Sequence, residues 1–289
     1  MATPSPVTHV SDTARWVAVY RAMESERPDA LFDDPFAREL AGPEGERIVA
    51  GMRKGRKAAW PMIVRTAVMD ELIVQAINRD GVDTVLNLAA GLDTRAFRLP
   101  LPSGLRWTDA DLPGIIDYRT AHLHRATPRC RYEASPVDLA DTGARQALFR
   151  RTMAPATRAL VLTEGLLVYL TPDTVAGLAR DLHAIEQVHF WVLDLASPRL
   201  LRMLERTWGA QLRDGNAPLQ FGPADGTAFF SPLGWREAEF RPMFEESIRL
   251  GRTMRGGRFW HWLGRFQPER KREEFRRMSG VVLLERVRA

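Results

Sequence analysis

The residues best placed to do chemistry gather between Asp83 and Pro113, in DTVLNLAAGLDTRAFRLPLPSGLRWTDADLP. Gly91 stands between an apolar run and a helical one, and Asp111 follows it by 20 positions, at the end of the next apolar run. A glycine turn that feeds a helix N-terminus leaves backbone N–H groups open over a concave site. An acid at the end of the following strand is placed to grip a ribose diol, because an ionised carboxylate accepts hydrogen bonds from both hydroxyls. This pattern predicts a site for an adenosine-containing cofactor, although any α/β crossover with a glycine turn would share its outline. A dinucleotide calls for three glycines, so that backbone can approach a pyrophosphate. Here the turn is Ala89-Ala90-Gly91, and Asp93 at the helix start would repel a diphosphate. A phosphate-free adenosine cofactor fits better, and S-adenosylmethionine is the commonest; Asp93 then reads as the helix N-cap.

Two more charged residues sit where apolar ones are expected. Glu164 interrupts ALVLTEGLLVYL at the C-terminal end of a strand, the edge at which open α/β sheets bind ligands. It reads equally as a contact for a cationic cofactor group and as a cap on the following loop. Arg65 shares a helix face with Met69, Leu72 and Ile73. An arginine facing a core needs an anion, but periodicity alone favours one snorkelling at the rim. No metal site is expected: His122 and His124 are two apart on a helix and diverge, and no zinc-type spacing occurs. Walker A and G-x-S-x-G patterns are also missing.

The elements that must position these residues can be read from periodicity. A strand at 84–89, a short helix at 93–99 and a strand at 105–110 frame the glycine turn. Before them, Trp16, Val19, Tyr20 and Met23 stripe a first helix that Ser11 or Asp12 can cap. Pro28 breaks that helix, and Asp34-Pro35 opens a short second one. A helix at 61–80 carries Val64, Val68, Leu72 and Ala76 in one row and stops at Gly81. After Asp111 come a helix to 125, a strand at 131–135, a helix to 151, a strand at 158–163, a helix opened by Thr171-Pro172-Asp173, and VHFWVLDL at 188–195 as a wholly apolar strand. Apolar strands alternating with helices predict a parallel sheet covered on both faces. Beyond Ser197 the pattern becomes a helix at 199–213, then a loop rich in Gly, Pro and Asn at 214–226. Trp208, Phe221, Phe229, Phe230 and Trp235 would mostly pack that segment onto the core. A sixth strand is expected at 246–250 and a last one at 281–287. Between them, 252–277 reads as an Arg- and aromatic-rich amphipathic helical excursion; the alternative is an RNA grip by stacking and phosphate contacts.

With 289 residues the chain can bury a substantial core. Its net charge of +5 is spread along the chain and comes almost wholly from arginine, lysine occurring only at 54, 57 and 271. Such a distribution is a weak footprint for nucleic acid. The lone Cys130 allows no internal disulfide and reads as a small, partly buried apolar residue. No apolar run reaches membrane-spanning length, and the first residues lack the pattern of a signal peptide, so a cytoplasmic protein is expected.

LNLAAGLDTRAFRL, Asp111-Leu112-Pro113, Asp138-Leu139 and EGLLVYL, in that order, resemble the leucine carboxyl methyltransferase family of class I S-adenosylmethionine-dependent methyltransferases. SDTARWVAVYRAMESERPDALFDDPFARELAG is similar to the N-terminal segment of the bacterial branch, which includes polyketide carboxyl O-methyltransferases. The resemblance spans Ser11 to Leu195; beyond it only Gly234-Trp235 and the final strand match. It implies a Rossmann-like α/β fold with a mostly parallel seven-stranded sheet, helices on both faces, an N-terminal helical cap and a lid insertion after the fifth strand. One methyltransferase domain would then cover 1–289: cap 1–60, cofactor-binding core 61–196, lid 197–235, and C-terminal strands with the excursion 236–289.

The same resemblance implies roles. Arg65 would pair with the methionyl carboxylate, reversing the snorkelling reading. Backbone at Ala89 to Gly91 would lie against the methionyl group, Asp111 would take the ribose hydroxyls, and Asp138 with Leu139 would hold the adenine. Glu164 would face the methionyl amine, and Arg15 would close over the donor. Ala89 departs from the glycine that many relatives carry. Methyl transfer from a sulfonium is an in-line displacement, and a carboxylate acceptor is already ionised at pH 7, so no base is required. A phenol would need one, with His183, His189 and His261 as the unplaced candidates. The expected partner is a small-molecule acceptor bearing a carboxylate, with no nucleic-acid or membrane partner. A protein C-terminus as acceptor, an RNA-modifying enzyme and a non-catalytic binding protein on the same fold are the competing readings.

Overall fold

The computed structural model describes residues 10–52, 55, 59–214 and 218–287, with backbone alone for 10–12 and 208–214. Helices α1 (Val10–Ser25) and α2 (Ala37–Gly51) pack against each other ahead of the long α3 (Trp60–Asp80). Val10 opens α1, so Ser11 and Asp12 lie inside the helix rather than capping it. α2 is longer than the short helix expected after Pro35. It is bent at Gly42 (φ 60°, ψ −179°), just before Pro43, whose ring and missing N–H prevent a regular helix there. α3 is buried nearly all round, with Val64, Val68, Leu72 and Ala76 all at most 1 % exposed. It therefore acts as a central strut rather than a surface helix.

Strands and helices then alternate: β1 (Thr84–Leu88), α4 (Arg95–Arg98), β2 (Arg106–Asp111), α5 (Pro113–Leu123), β3 (Arg131–Pro136), α6 (Thr142–Met153), β4 (Ala159–Thr163), α7 (Pro172–His183) and β5 (Val188–Ala196). Thr171 caps α7 by accepting from the Thr174 N–H, with Pro172 in the first turn, as its sequence predicts. α8 (Pro198–Asp214) and a 3-10 turn (Gly226–Leu233) precede β6 (Trp235–Pro242). Then come α9 (Met243–Arg249), α10 (Gly257–Gly264), α11 (Glu269–Arg276) and β7 (Ser279–Arg286).

The seven strands form one sheet in the order β3-β2-β1-β4-β5-β7-β6, parallel except for β7, which runs antiparallel to both its neighbours. Each inner strand sends alternate residues to opposite faces. Leu160, Leu162, Val281 and Leu283 join a core with α1, α2 and α3, while Val161, Val282, Leu284 and Trp191 join one with α6 and α7. The sixth strand is not at 246–250. That stretch belongs to α9, where Glu245 and Glu246 occupy the first turn, favourable against the helix dipole, and Arg249 reaches back to Glu246. The strand is instead 235–242, an edge strand whose central residues are half-exposed and whose register shifts between Glu237 and Glu239. The excursion after it is helical, as expected. Of the aromatic residues beyond α8, Phe230 and Trp235 are fully buried around Trp191; the Trp208 side chain lies outside the described residues.

Candidate binding site at the carboxyl edge of the sheet

Strand order reverses between β1 and β4, since β1 leads outward to β2 and β3 while β4 leads the other way. Loops leaving the two strands must diverge, and the crevice between them is where open α/β sheets bind ligands. A cavity of about 460 Å3 opens there, within the size range of small-molecule sites. Of the residues singled out from sequence, Arg65, Ala89, Gly91, Asp111, Asp138, Leu139 and Glu164 all line it. Arg15 does not. Its guanidinium lies 4.1 Å from the Tyr118 ring centroid and donates to the Tyr118 hydroxyl, while Thr13, Ala14, Val17 and Arg21 of the same helix face the cavity.

The turn after β1 is built from unusual backbone. Ala89 has φ +52°, the one positive φ outside glycine among the described residues, and Gly91 has φ +55°. A side chain at Gly91 would press to 3.2 Å from the Ala14 side chain, so glycine there lets α1 close over the turn. Asp111 ties the turn to β2: one carboxylate oxygen accepts from the Gly91 N–H at 2.6 Å, the other from the Leu112 N–H at 2.7 Å. Its orientation is thus set by two fixed amides. Burial nevertheless pushes its carboxyl above the usual range, because the two amides and Arg119 compensate only in part. Asp138 caps its own loop by accepting from the Ala140 N–H at 2.9 Å.

At the other end lies an arginine–carboxylate network in which Arg65, Glu164 and Asp93 meet residues that the sequence does not single out. Arg65 is 9 % exposed and is no snorkelling side chain. Its Nε donates to Glu164 at 3.0 Å and its Nη1 to Asp194 at 3.2 Å. The other Glu164 oxygen accepts from Arg95 at 2.7 Å; Arg95 also binds Asp93 and Asp70, and Asp70 binds Arg98. Burial opposes the charged form of Glu164, yet Arg95 and Arg65 hold its carboxyl below the usual range. Asp93 behaves likewise: burial works against its ionisation, but Arg95, Arg21 and Arg98 prevail. Asp93 is not the α4 N-cap, a position held by Thr94. It accepts from the Arg95 N–H and from Asn87 as part of the network.

Taken as a wholly apolar strand, VHFWVLDL conceals Asp194. That residue stands two residues before the end of β5, and Glu164 directly follows β4; each is a charged residue in an apolar run, a signal the sequence carries. The second Asp194 oxygen accepts from the Gly165 N–H at 2.6 Å. Gly165 has φ +65°, and a Cβ there would lie 3.2 Å from Arg65 Nη1. Asp109 and Arg119, buried and paired at 3.1 Å beneath the turn, also escaped the sequence.

The rest of the cavity is apolar, walled by Trp16, Met62, Leu166, Leu200, Leu204 and Phe221 among others. Every titratable side chain in the wall is engaged: the acids by arginines or amides, Arg21 by Asp34 and the Leu92 carbonyl, and Tyr169 by Thr13. His183, His189 and His261 lie elsewhere, against Trp235, Phe190 and Phe244. No cluster able to hold a metal occurs among the described residues.

The charges suit a zwitterionic amino acid joined to a nucleoside: an arginine for the carboxylate, acids for the amine, and an oriented carboxylate for the diol. Comparison with known proteins points the same way. The sequence profile described as leucine carboxyl methyltransferase matches residues 14–183. A Saccharopolyspora erythraea protein named as an S-adenosyl-L-methionine-dependent methyltransferase is 34% identical over 246 residues, covering 80% of this chain and 84% of its own. One from Frankia alni with the same designation is 33% identical over 264 residues, covering 84% and 89%. Among solved structures, a methyltransferase from Thermobifida fusca matches with a TM-score of 0.60 over 99% of this chain and 97% of its own. A DUF574-family protein from Streptomyces avermitilis matches with 0.59 over 98% and 99%. Both are 12% identical, a likeness of fold.

Proposed function

The chain belongs to the leucine carboxyl methyltransferase family and is an S-adenosylmethionine-dependent methyltransferase; on that footing we propose that its acceptor is a carboxylate of a small molecule. The observation that carries this reading is the state of the cavity wall. A phenol or alcohol must lose a proton to react, and a general base must be free to take it. Here Glu164 and Asp194 are bound by Arg65, Asp93 by Arg95, Asp111 by two backbone amides and Asp138 by the Ala140 amide. Arginines also hold Glu164 and Asp93 below the usual carboxylate range, and no histidine among the described residues lines the cavity. A carboxylate needs no base, because it is ionised at pH 7. The bound donor supplies a methyl group on a sulfonium; the O–C bond forms as the C–S bond breaks, and sulfur keeps the electron pair.

The chain's own contribution is then binding, alignment and exclusion of water. Asp111, fixed by two amides, would receive the ribose hydroxyls, and Asp138 with Leu139 would bound the adenine. Arg65 would hold the methionyl carboxylate and Glu164 the amine, the pair already in register through their own hydrogen bond. Alignment of this kind can supply roughly 7–11 kcal/mol of barrier lowering. The apolar wall under α8 would take the acceptor body.

The test supplies labelled donor with a panel of small organic acids and phenols, then treats the product with mild alkali. A carboxyl methyl ester releases its label as methanol, whereas a phenol ether keeps it. Alkali-stable label would overturn the proposal, and label confined to protein would move the acceptor to a polypeptide.

A further inference from the structure

Among the described residues, the α10–α11 excursion carries the most exposed large apolar side chains. Phe259, Trp260, Trp262 and Phe266 are 57, 62, 52 and 72 % exposed. Their rings touch one another, with Phe259–Trp260, Phe259–Trp262 and Trp262–Phe266 centroids 5.9, 6.2 and 5.2 Å apart. α10 is held to the body from its opposite side, by the buried Gly257 and by His261 against Phe244. Four large aromatics within eight residues, all turned outward, make a patch that a folded protein seldom leaves in water.

The charge around the patch is as one-sided as its apolarity. From Met254 to Arg277 there are eight basic residues and three acidic ones. Their net charge of +5 equals that of the whole chain, so the excess is concentrated here and not spread along the chain as its distribution first suggests. Arg276 and Arg277 are tied to Glu245, Glu237 and Glu273. Arg255, Arg258, Arg265, Arg270, Lys271 and Arg272 take part in no ion pair among the described residues.

The excursion leaves the sheet at Pro242 and rejoins it at Ser279, and Pro242 pairs with Gly280. Met243, Ser279 and Gly280 line the cavity, so both ends of the excursion are rooted at the cavity edge of the sheet.

We propose that this aromatic and basic surface docks the protein on an anionic lipid bilayer. Tryptophan and phenylalanine seat in the boundary between headgroups and acyl chains, and flanking arginines reach anionic headgroups. A second copy of this chain is disfavoured, because it would bring two surfaces of like charge together. The contact is peripheral: no helix among the described residues is long and apolar enough to cross a membrane. It runs against the sequence-based expectation of no membrane partner, and the vesicle experiment decides between the two.

The test sediments the full chain with phosphatidylcholine vesicles, with and without phosphatidylglycerol, at physiological ionic strength. Binding to the anionic vesicles alone is expected, weakening as salt is raised. Trp260→Ser with Trp262→Ser should abolish it, and Arg265→Gln, Arg270→Gln and Arg272→Gln together should weaken it on the order of 100-fold. Both variants should bind adenosylhomocysteine with unchanged affinity, which shows that they fold and keeps this test independent of the acceptor. Overturning results are absence of binding, equal binding to neutral vesicles, or binding that survives the aromatic substitutions. A doubling of mass in solution that the aromatic variant loses would assign the patch to a second copy. Co-purifying RNA that depends on the same arginines would assign it to nucleic acid. Either outcome also overturns the proposal.

Discussion

Replacing Asp111 with asparagine separates the two jobs that its carboxylate holds. In the folded chain each oxygen accepts from a different amide, Gly91 at 2.6 Å and Leu112 at 2.7 Å. An asparagine offers one acceptor oxygen and an NH2 group, so one of the two amides must face a donor. A buried amide left unpaired costs about 1–3 kcal/mol, which for a chain of this length lowers Tm by about 2–5 °C. The second loss falls on the ligand. A hydroxyl donating to an ionised oxygen contributes about 1.5–3 kcal/mol, so losing one such bond weakens the nucleoside by about 10- to 150-fold. Calorimetric titration with adenosylhomocysteine measures the second effect and thermal unfolding the first. The control is Asp117→Asn, which removes the same charge from an exposed position on α5 and should change neither. An Asp111→Asn protein that unfolds earlier yet binds with native affinity would refute the placement of the ribose.

Three further outcomes follow from the same region. Gly165→Ala puts a Cβ 3.2 Å from Arg65 Nη1 at a φ of +65°, so it should weaken adenosylhomocysteine while leaving adenosine unaffected; equal loss of both would contradict the role of Arg65. Ala89→Gly relieves the left-handed alanine at φ +52°, worth about 0.5–1 kcal/mol after the entropy of glycine, and should raise Tm by about 1–2 °C; a lower Tm would show that the methyl group packs better than its backbone suggests. Burial pushes the Cys130 thiol up to about 11, so alkylation of this single cysteine at pH 8 should run on the order of 100-fold slower than that of free cysteine and recover in urea. Rapid labelling of the native protein would sink that reading.

What the sequence disclosed and what it hid divide along a physical line. Inner strands reveal themselves because both faces are buried: ALVL in β4 and VVLL in β7 are apolar throughout, and α6 and α7 open on the capping residues Asp141 and Thr171. The edge strand β6 stays hidden because WREAEFRP is half-exposed along its middle and carries four charged residues, whereas FEESIRL, though helical, has the apolar spacing of a short strand. In the site, Asp111 is legible from its spacing of 20 residues past Gly91 at a strand end, and Glu164 because it interrupts an apolar run. Arg65 defeated periodicity because its anions, Glu164 and Asp194, lie 99 and 129 positions away. A helix wheel cannot see a counter-ion supplied by the carboxyl edge of a sheet; only the family resemblance anticipates it. Arg95 and Asp70 stay hidden for the same reason, and Asp93, singled out only as a helix cap, shows its place among them only once α3, β1 and β4 bring three arginines and their acids together.

That network bears on which acid controls binding. Glu164 and Asp93 meet arginines, which hold both below the usual carboxylate range; the stability they contribute is present above their unfolded values and is lost only as pH falls through the lowered folded ones. Asp111 behaves oppositely. With two amides but no arginine hydrogen-bonded to it, burial raises its carboxyl, so between about pH 4 and its raised value the folded chain keeps a proton that the unfolded chain has released. Its contribution to stability is fullest below that window and declines as pH rises through it. Diol hydroxyls donate to the ionised oxygen, so ligand binding runs the other way, complete above the window and lost as pH falls through it. A range of mild acidity should therefore exist in which the protein stays folded while adenosylhomocysteine affinity falls by up to tenfold per pH unit, and Asp111→Asn should flatten that limb. Affinity titrated from pH 7 downward, with thermal unfolding at each point, decides the matter. Native affinity held down to the ordinary carboxylate range, or loss that coincides with unfolding, would show that the arginine-bound acids govern the site instead.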